Sequence, residues 1–220
     1  ICFDPLEKVI LAALVTEEPI LIIGRPGTDK ANLLGYISQA LGLSFKKVNA
    51  AMTSKLDLTG MPVVKDNDDK ITFISAPDSV WKKQALVFDL LNEAKPICMS
   101  VISSILFEKQ INGYPMETLQ YRWATMENTD LFNSDMTAFK RRNIYLEEEL
   151  VENFAFIIEA PTWDHFSVEE KLEGFISGFT HPVKELNNEL IAFISKLKPL
   201  YEEQLLFPKP KLAAYACLVT

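Results

Sequence analysis

Residues 24–31, which read G-R-P-G-T-D-K-A, have the glycine and lysine spacing of a phosphate-binding loop. The full pattern of such a loop is G-x-x-x-x-G-K-[ST], placed between a strand and a helix. Its backbone N–H groups surround phosphate oxygens, its lysine reaches the β- and γ-phosphates, and its hydroxyl holds Mg²⁺. The candidate phosphate-binding residues are therefore Gly24, Pro26, Gly27, Thr28 and Lys30.

Two positions of this loop depart from the pattern. Asp29 replaces the second glycine, and Ala31 replaces the Ser/Thr. A carboxylate about 4 Å from another negative charge repels it by roughly 4 kcal/mol at an effective dielectric near 20. Ala31 has no oxygen with which to bind a metal, and the hydroxyl of Thr28 lies on the wrong side of the lysine. Taken alone, the segment also fits an ordinary Gly/Pro loop before an amphipathic helix.

A later acidic residue favours the phosphate-binding interpretation. Proteins that bind Mg²⁺ and a nucleotide with such a loop need an acid at the end of a buried strand to hold the metal. Asp89 follows the apolar run 85–88 and is the candidate metal ligand. The alternative is that Asp89 only caps the element that follows it.

Apolar periodicity predicts alternating strands and helices in the first three quarters of the chain, which is typical of a parallel sheet flanked by helices. Helices are predicted over 6–15, 30–41 and 96–109. Strands are predicted over 19–23, 44–49, 85–88, 119–126 and 154–159, with a hairpin over 61–74 that turns at 66–69. Beyond Pro161 the pattern becomes helical, over 167–179, 183–197 and 212–219.

Net charge and cysteine content indicate which kinds of partner and which cellular compartment the sequence favours. The net charge of −8 and the pI near 4.9 do not favour nucleic acid as a partner. Three cysteines far apart in sequence argue against a disulfide framework or a zinc site, and they fit a cytoplasmic or other reducing compartment. No apolar run approaches the roughly 18 residues that a membrane span needs.

The ends of the sequence favour a fragment of a longer protein. The chain does not begin with Met, and it stops inside an apolar, helix-like stretch. The first residues also lack the basic region that precedes the apolar core of a secretory signal.

In these segments the chain resembles the AAA+ ATPases, and in particular their MoxR-like and midasin-like branch. The resemblance covers residues 5–161. The loop 24–31 is similar to the family's G-x-P-G-x-G-K-T, and D-L-T-G at 57–60 is similar to its D-L-x-G. The hairpin at 61–74 falls where the branch carries its helix-2 insertion, and A-P at 76–77 stands where the family has G-P.

The resemblance also shows where the ATPase motifs have changed. The family's Walker B motif reads D-E-x-N-R-A, whereas residues 89–94 read D-L-L-N-E-A. Asp89 matches the metal-holding acid, but Leu90 replaces the catalytic glutamate. Glu93 lies three residues too late to replace that base. In the sensor-1 segment, Glu127 occupies the position of the family's asparagine, with Asn128 one residue further on.

Two alignments are possible for the arginine finger. Residues 138–142 resemble A-x-x-x-R-F and offer Arg142, or Arg141 with a one-residue shift. Alternatively, residues 152–156 resemble D-R-F-x-F, and Asn153 then replaces the arginine. P-K-P-K at 208–211 is similar to the sensor-2 segment, which gives Lys211 the arginine role.

The resemblance implies a P-loop NTPase (AAA+) α/β fold with a parallel sheet flanked by helices and a small C-terminal helical lid. The expected division is an α/β domain at 1–161 and a helical domain at 162–220. The implied function is an ATPase-like module in a homo- or hetero-oligomeric ring or a larger chain, which remodels protein partners. It would bind ATP, with Mg²⁺ as its cofactor, weakly or not at all, with little or no hydrolysis. The alternatives are a scaffold that no longer uses nucleotide and an unrelated α/β protein.

Overall fold

The computed structural model describes residues 6–26, 28, 30–65, 68–74, 76, 78–127, 148–160, 192 and 194–199. The helices are α1 (Glu7–Thr16), α2 (Lys30–Ala40), α3 (Lys55–Thr59), α4 (Pro96–Ser103) and α5 (Glu148–Glu152). The strands are β1 (Ile20–Gly24), β2 (Phe45–Asn49), β3 (Met61–Lys65), β4 (Asp68–Ile74), β5 (Ala85–Asp89), β6 (Gln110–Ile111), β7 (Tyr114–Pro115), β8 (Tyr121–Glu127) and β9 (Phe156–Glu159).

Five strands form one parallel sheet in the order β2-β5-β8-β1-β9. β1 lies between β8 and β9, whereas the next strand of the sheet along the chain, β2, lies at the far edge. The carboxyl ends of all five strands meet at one edge, where α/β proteins place their binding sites. This arrangement confirms the predicted α/β fold with a parallel sheet.

Apolar side chains cover both faces of this sheet, as its continuous apolar strands predict. On one face, Ile20, Val87 and Trp123 are fully buried against α1 and α2. On the other face, Leu21 and Phe88 are fully buried against α3 and α4. Successive residues of a strand point to opposite faces, so the central strands β1, β5 and β8 contribute to both clusters, whereas the edge strand β9 contributes only to the first. The result is a three-layer helix–sheet–helix structure.

The hairpin predicted at 61–74 is present as the antiparallel pair β3–β4, which forms a separate two-stranded sheet. The predicted turn was too long, because Asp68 and Asp69 belong to β4. The pairing register shifts between Val64 and Lys65, so that Lys65 pairs with Asp68 and the turn is shorter than predicted. Met61, Val64 and Ile74 are exposed on this hairpin.

Two short elements were not predicted from apolar periodicity, namely helix α3 and the β6–β7 hairpin, whereas the π turn after α4 lies within the helix predicted over 96–109. Helix α3 begins with a capping box, in which the Ser54 hydroxyl accepts from the Asp57 N–H and the Asp57 carboxylate accepts from the Ser54 N–H. A single π turn, Ser104–Glu108, continues α4. The β6–β7 hairpin turns at Asn112 and Gly113, both with positive φ. An Asn-Gly pair favours a tight turn of this kind, because both residues adopt positive φ readily.

The helical residues 194–199 contact the α/β part of the chain. Ile194 is buried in the same cluster as α1, and Lys198 forms an ion pair with Glu17 at the end of α1. The remaining helices predicted after Pro161 lie outside the described residues. The division at residue 161 therefore stays a prediction. Within the described part of the chain, no helix is long and apolar enough to cross a membrane.

Gly24 at the end of β1 allows a close backbone approach between β1 and the chain after β9. A Cβ atom at Gly24 would lie 2.7 Å from Cβ of Ala160. We therefore expect Gly24→Ala to lower the free energy of unfolding by about 1–3 kcal/mol through overpacking. Urea denaturation followed by circular dichroism measures this change.

Gly35→Ala is the matched control. Gly35 lies inside α2, where an added Cβ would meet the Phe45 ring at an ordinary 3.5 Å. Alanine in a helix interior is favoured over glycine by roughly 0.5–1 kcal/mol, so the control should be neutral or stabilising. Equal losses in the two variants would contradict the steric explanation.

Candidate phosphate site

The loop after β1 connects the middle of the sheet to the start of α2. Gly24 is the last residue of β1, and Lys30 is the first residue of α2. The structure thus confirms the strand–loop–helix context that a phosphate loop requires. Pro26 and Thr28 lie in the described part of the loop, whereas Gly27 and Asp29 lie outside the described residues.

The Lys30 ammonium is turned back into its own loop. Nζ donates to the carbonyl oxygens of Gly24 at 3.1 Å and Arg25 at 2.8 Å, and to the Thr28 hydroxyl at 3.1 Å. The Thr28 hydroxyl in turn donates to the Arg25 carbonyl at 2.9 Å. An ammonium has three donors, and these three contacts use all of them. Lys30 therefore closes the loop as a structural clamp in this state.

Two carboxylates lie near Lys30 at the carboxyl edge of the sheet. Strand pairing places Gly24 beside Glu127 at the end of β8, and Asp89 ends the neighbouring strand β5. Burial lowers the pKa of Lys30 below its ordinary value, and the negative charges of Glu127 and Asp89 raise it in part. The cation that should attract phosphate is thus partly neutralised by carboxylates of the protein.

The Asp89 carboxylate has a partner on each oxygen. Oδ1 accepts from the Thr125 hydroxyl at 2.6 Å, and Oδ2 lies 3.3 Å from Nζ of Lys47. Lys47, on β2, also contacts Oδ1 of Asn32 in the first turn of α2 at 3.4 Å. Sequence reasoning placed Asp89 here but missed Lys47, because a lysine on an edge strand carries no motif signal.

The backbone after Asp89 turns sharply. Leu90 has φ 58° and ψ 46°, which is the left-handed region that a leucine rarely adopts, and a 3₁₀ turn, Leu91–Glu93, follows. Leu90 thus occupies the first position after the strand, where the resemblance places a catalytic glutamate. Its aliphatic side chain cannot take a proton from water.

Asn92 connects this turn to β8. Its side-chain oxygen accepts from the Glu127 N–H at 3.3 Å, and the residue is only 7% exposed. Its Nδ2 has no partner among the described residues. Asn92 therefore fixes the end of β8 beside the candidate phosphate loop. This role of Asn92 was not predicted from the sequence.

The donor set fits Mg²⁺ poorly. Magnesium prefers octahedral oxygen coordination. Ala31 offers no side-chain oxygen, the Thr28 hydroxyl is engaged within the loop, and Asp89 is already paired. Among the described residues, no group of three or more His, Cys, Asp or Glu side chains could hold a metal ion. The predicted metal role of Asp89 therefore receives no support from its present contacts.

Several predicted site residues cannot be placed. The candidate fingers Arg141 and Arg142 and the sensor-2 residue Lys211 lie outside the described residues, as does Asn128. Their roles stay predictions. Ala31 is the second residue of α2, at the position that the resemblance gives to the metal-binding hydroxyl. It is buried in the core cluster that α1 and α2 form on one face of the sheet.

The chain has an α/β fold whose parallel strand order is typical of P-loop and AAA folds. No family model matches the sequence, and no curated protein matches it. The fold does match 311 solved chains, so it is too widespread to specify a function by itself.

One of these structures is described as that of a "putative ATPase" from Cytophaga hutchinsonii. It matches with a TM-score of 0.58 at 16% sequence identity. The match covers 90% of this chain and 58% of that chain, so this chain spans a little over half the length of that protein. At this identity the likeness shows the fold alone.

The clamp formed by Lys30 leads to a prediction about stability. Lys30→Met removes the donor to the buried Gly24 carbonyl and the Thr28 hydroxyl, and leaving buried acceptors unsatisfied costs about 1–3 kcal/mol. We expect thermal and urea denaturation to show a loss of this size without any added ligand. Lys8→Met, an exposed position on α1, is the control and should change stability by less than about 0.5 kcal/mol. No loss for Lys30→Met would show that the ammonium does not hold the loop.

Proposed function

We propose that the chain is an ATPase-like module that binds ATP weakly or not at all, hydrolyses it little, and acts in chaperone-like remodelling or assembly of protein partners. The observation that carries this proposal is the internal pairing of the phosphate site. The lysine is bonded within its own loop, and the strand ends around it carry carboxylates. The fold supports an ATPase ancestry, and the pairing supports weak nucleotide binding.

Weak binding follows from the competition for Lys30. A phosphate group would have to draw Nζ away from the loop oxygens or share it with them. It would also approach Glu127 and Asp89, whose charges already act on Lys30. Asp29 adds a further carboxylate to the loop sequence. Backbone N–H groups of the loop can still attract an anion at the start of α2, so binding is weakened rather than forbidden.

Slow hydrolysis follows from the residues at the end of β5. Leu90 stands where the water-activating glutamate is expected, and the described neighbours of Asp89 are the Thr125 hydroxyl and the Lys47 ammonium. General acid–base groups of this kind typically contribute 10²–10⁴-fold to a rate. Leu90 cannot act as a base, so no residue activates water at the position where the resemblance places the catalytic glutamate.

An interaction role is supported by exposed apolar residues after β2 and on the β3–β4 hairpin. Met52 is 80% exposed, and Met61, Val64 and Ile74 on the β3–β4 hairpin are each more than half exposed. Exposed apolar groups of this kind are common at protein interfaces. This observation also favours the second candidate function, a nucleotide-independent scaffold or regulatory module. Both functions place the chain in an oligomeric ring or a larger chain.

ATP binding distinguishes the two functions. We expect isothermal titration calorimetry to give a millimolar or weaker dissociation constant for the unchanged chain. Glu127→Gln should tighten ATP binding about tenfold, because one negative charge is removed from beside the phosphate loop. Glu7→Gln, at an exposed position on α1, removes the same charge elsewhere and should change binding little.

The paired variant Asp29→Gly/Ala31→Thr restores the loop pattern and extends this test. If the chain is an ATPase-like module, restoring the pattern should strengthen ATP binding beyond the effect of Glu127→Gln. Absence of ATP binding in all of these folded variants would refute nucleotide use and favour the scaffold. Circular dichroism confirms folding in each case.

Turnover provides a separate prediction. Phosphate release from ATP by the unchanged chain should not exceed that of Lys30→Met, because the base position holds Leu90. The assay is repeated at high protein concentration so that any assembly can form. Hydrolysis well above the Lys30→Met level would show that another residue, or a neighbouring subunit, activates water.

A further inference from the structure

Lys47 lies between the two elements that hold the metal ion in an intact phosphate-loop site. Its Nζ is 3.3 Å from Oδ2 of Asp89 at the end of β5, and 3.4 Å from Oδ1 of Asn32 in α2. Asn32 directly follows Ala31, the position of the missing metal-binding hydroxyl. A divalent cation that bridges the start of α2 and the acid of β5 would thus meet the ammonium of Lys47.

The direction of the Lys47 side chain follows from the sheet. Phe45 on β2 packs in the cluster beside α2, and Lys47, two residues later, points to the same face. Lys46 points to the opposite face, where it forms an ion pair with Asp78 at 3.3 Å. The alternation of one strand therefore assigns Lys47, and not Lys46, to the phosphate site.

We propose that the Lys47 ammonium takes the place of the divalent cation as the counter-ion of Asp89, so that the site does not use Mg²⁺. A tethered positive charge satisfies one Asp89 oxygen while the Thr125 hydroxyl satisfies the other. Mg²⁺ gives up its water reluctantly and would gain few protein oxygens here. Any phosphate ligand of the site would accordingly bind without a divalent cation.

The position of Lys47, rather than the strength of its ion pair, supports this inference. The Lys47 side chain is 41% exposed and that of Asp89 is 21% exposed, and exposed pairs contribute little to stability. A fixed positive charge at this point nevertheless repels a second cation, because both would occupy the space beside Oδ2 of Asp89.

Manganese binding to the whole chain without nucleotide tests the proposal. Mn²⁺ is a paramagnetic substitute for Mg²⁺, and electron paramagnetic resonance measures its free fraction. We expect no binding to the unchanged chain at millimolar Mn²⁺. Lys47→Met should make Mn²⁺ binding measurable, with a dissociation constant at least about tenfold below the limit set by the unchanged chain, because the competing charge is removed. Ala31→Ser in the same variant should tighten it further by restoring an oxygen.

Two variants identify the site of any binding. Adding Asp89→Asn to Lys47→Met should abolish the gain, because the carboxylate is lost. Lys46→Met removes the same charge from the other face of β2 and should leave Mn²⁺ binding unchanged. Lys47→Gln replaces Lys47→Met if the methionine variant does not fold.

Three results would overturn the proposal. They are Mn²⁺ binding to the unchanged chain through Asp89, equal effects of Lys46→Met and Lys47→Met, and no gain in either folded Lys47 variant. The Mn²⁺ experiment does not depend on the proposed function, because it uses the metal alone.

The prediction that any phosphate ligand binds without a divalent cation does rest on the proposed function. If ATP binds, its dissociation constant should be the same with Mg²⁺ and with a chelator. If ATP does not bind but Lys47→Met gains Mn²⁺ affinity, the proposed function fails while the counter-ion role of Lys47 stands. If ATP binds only with Mg²⁺, the counter-ion role fails while nucleotide binding stands.

Discussion

The three hydrogen bonds of the Lys30 ammonium determine the state of the phosphate site. They hold the loop between β1 and α2 closed on itself, with Gly24, Arg25 and Thr28 as acceptors. Lys30 is buried, so its charge requires nearby oxygens. The neighbouring strand ends supply negative charge in the form of Glu127 and Asp89. A site arranged in this way is stable without a ligand.

Pairing between groups of the protein itself extends across the carboxyl edge of the sheet. Asp89 is paired with a hydroxyl and an ammonium, and Asn92 receives the Glu127 N–H. The charged side chains of Lys30 and Asp89 therefore already have partners within the protein. Phosphate and metal binding depend on unpaired charge, because a ligand must offer more than the partners it displaces. The internal pairing thus accounts physically for the proposed loss of ATPase chemistry on a retained fold.

Close packing places these groups in contact. β1, β5 and β8 are adjacent parallel strands, so their last residues lie side by side at one edge. The approach of Gly24 to Ala160 leaves no space for a Cβ at the start of the loop. The fully buried strands leave little freedom to shift these ends. The geometry of the phosphate site is therefore a consequence of the sheet.

The amino-acid sequence by itself determined the α/β class, the long helices, the main strands and the loop after β1. These features follow from local apolar periodicity and from Gly and Pro punctuation. The sequence also identified Asp89 as a residue of this edge, and its resemblance to the AAA+ ATPases pointed to Leu90 as the position where that family has a catalytic glutamate. It did not identify α3 or the β6–β7 strands, because these elements are too short for a periodic signal.

Only the tertiary structure decided the pairing of the site. Lys47 lies 42 residues before Asp89 in the sequence, and Thr125 lies 36 residues after it. Their contacts arise from the strand order β2-β5-β8, which no local pattern encodes. The direction of the Lys30 side chain likewise depends on which oxygens surround it after folding. Local residue types therefore specified the elements and the chemical groups, whereas long-range packing decided which groups neutralise one another.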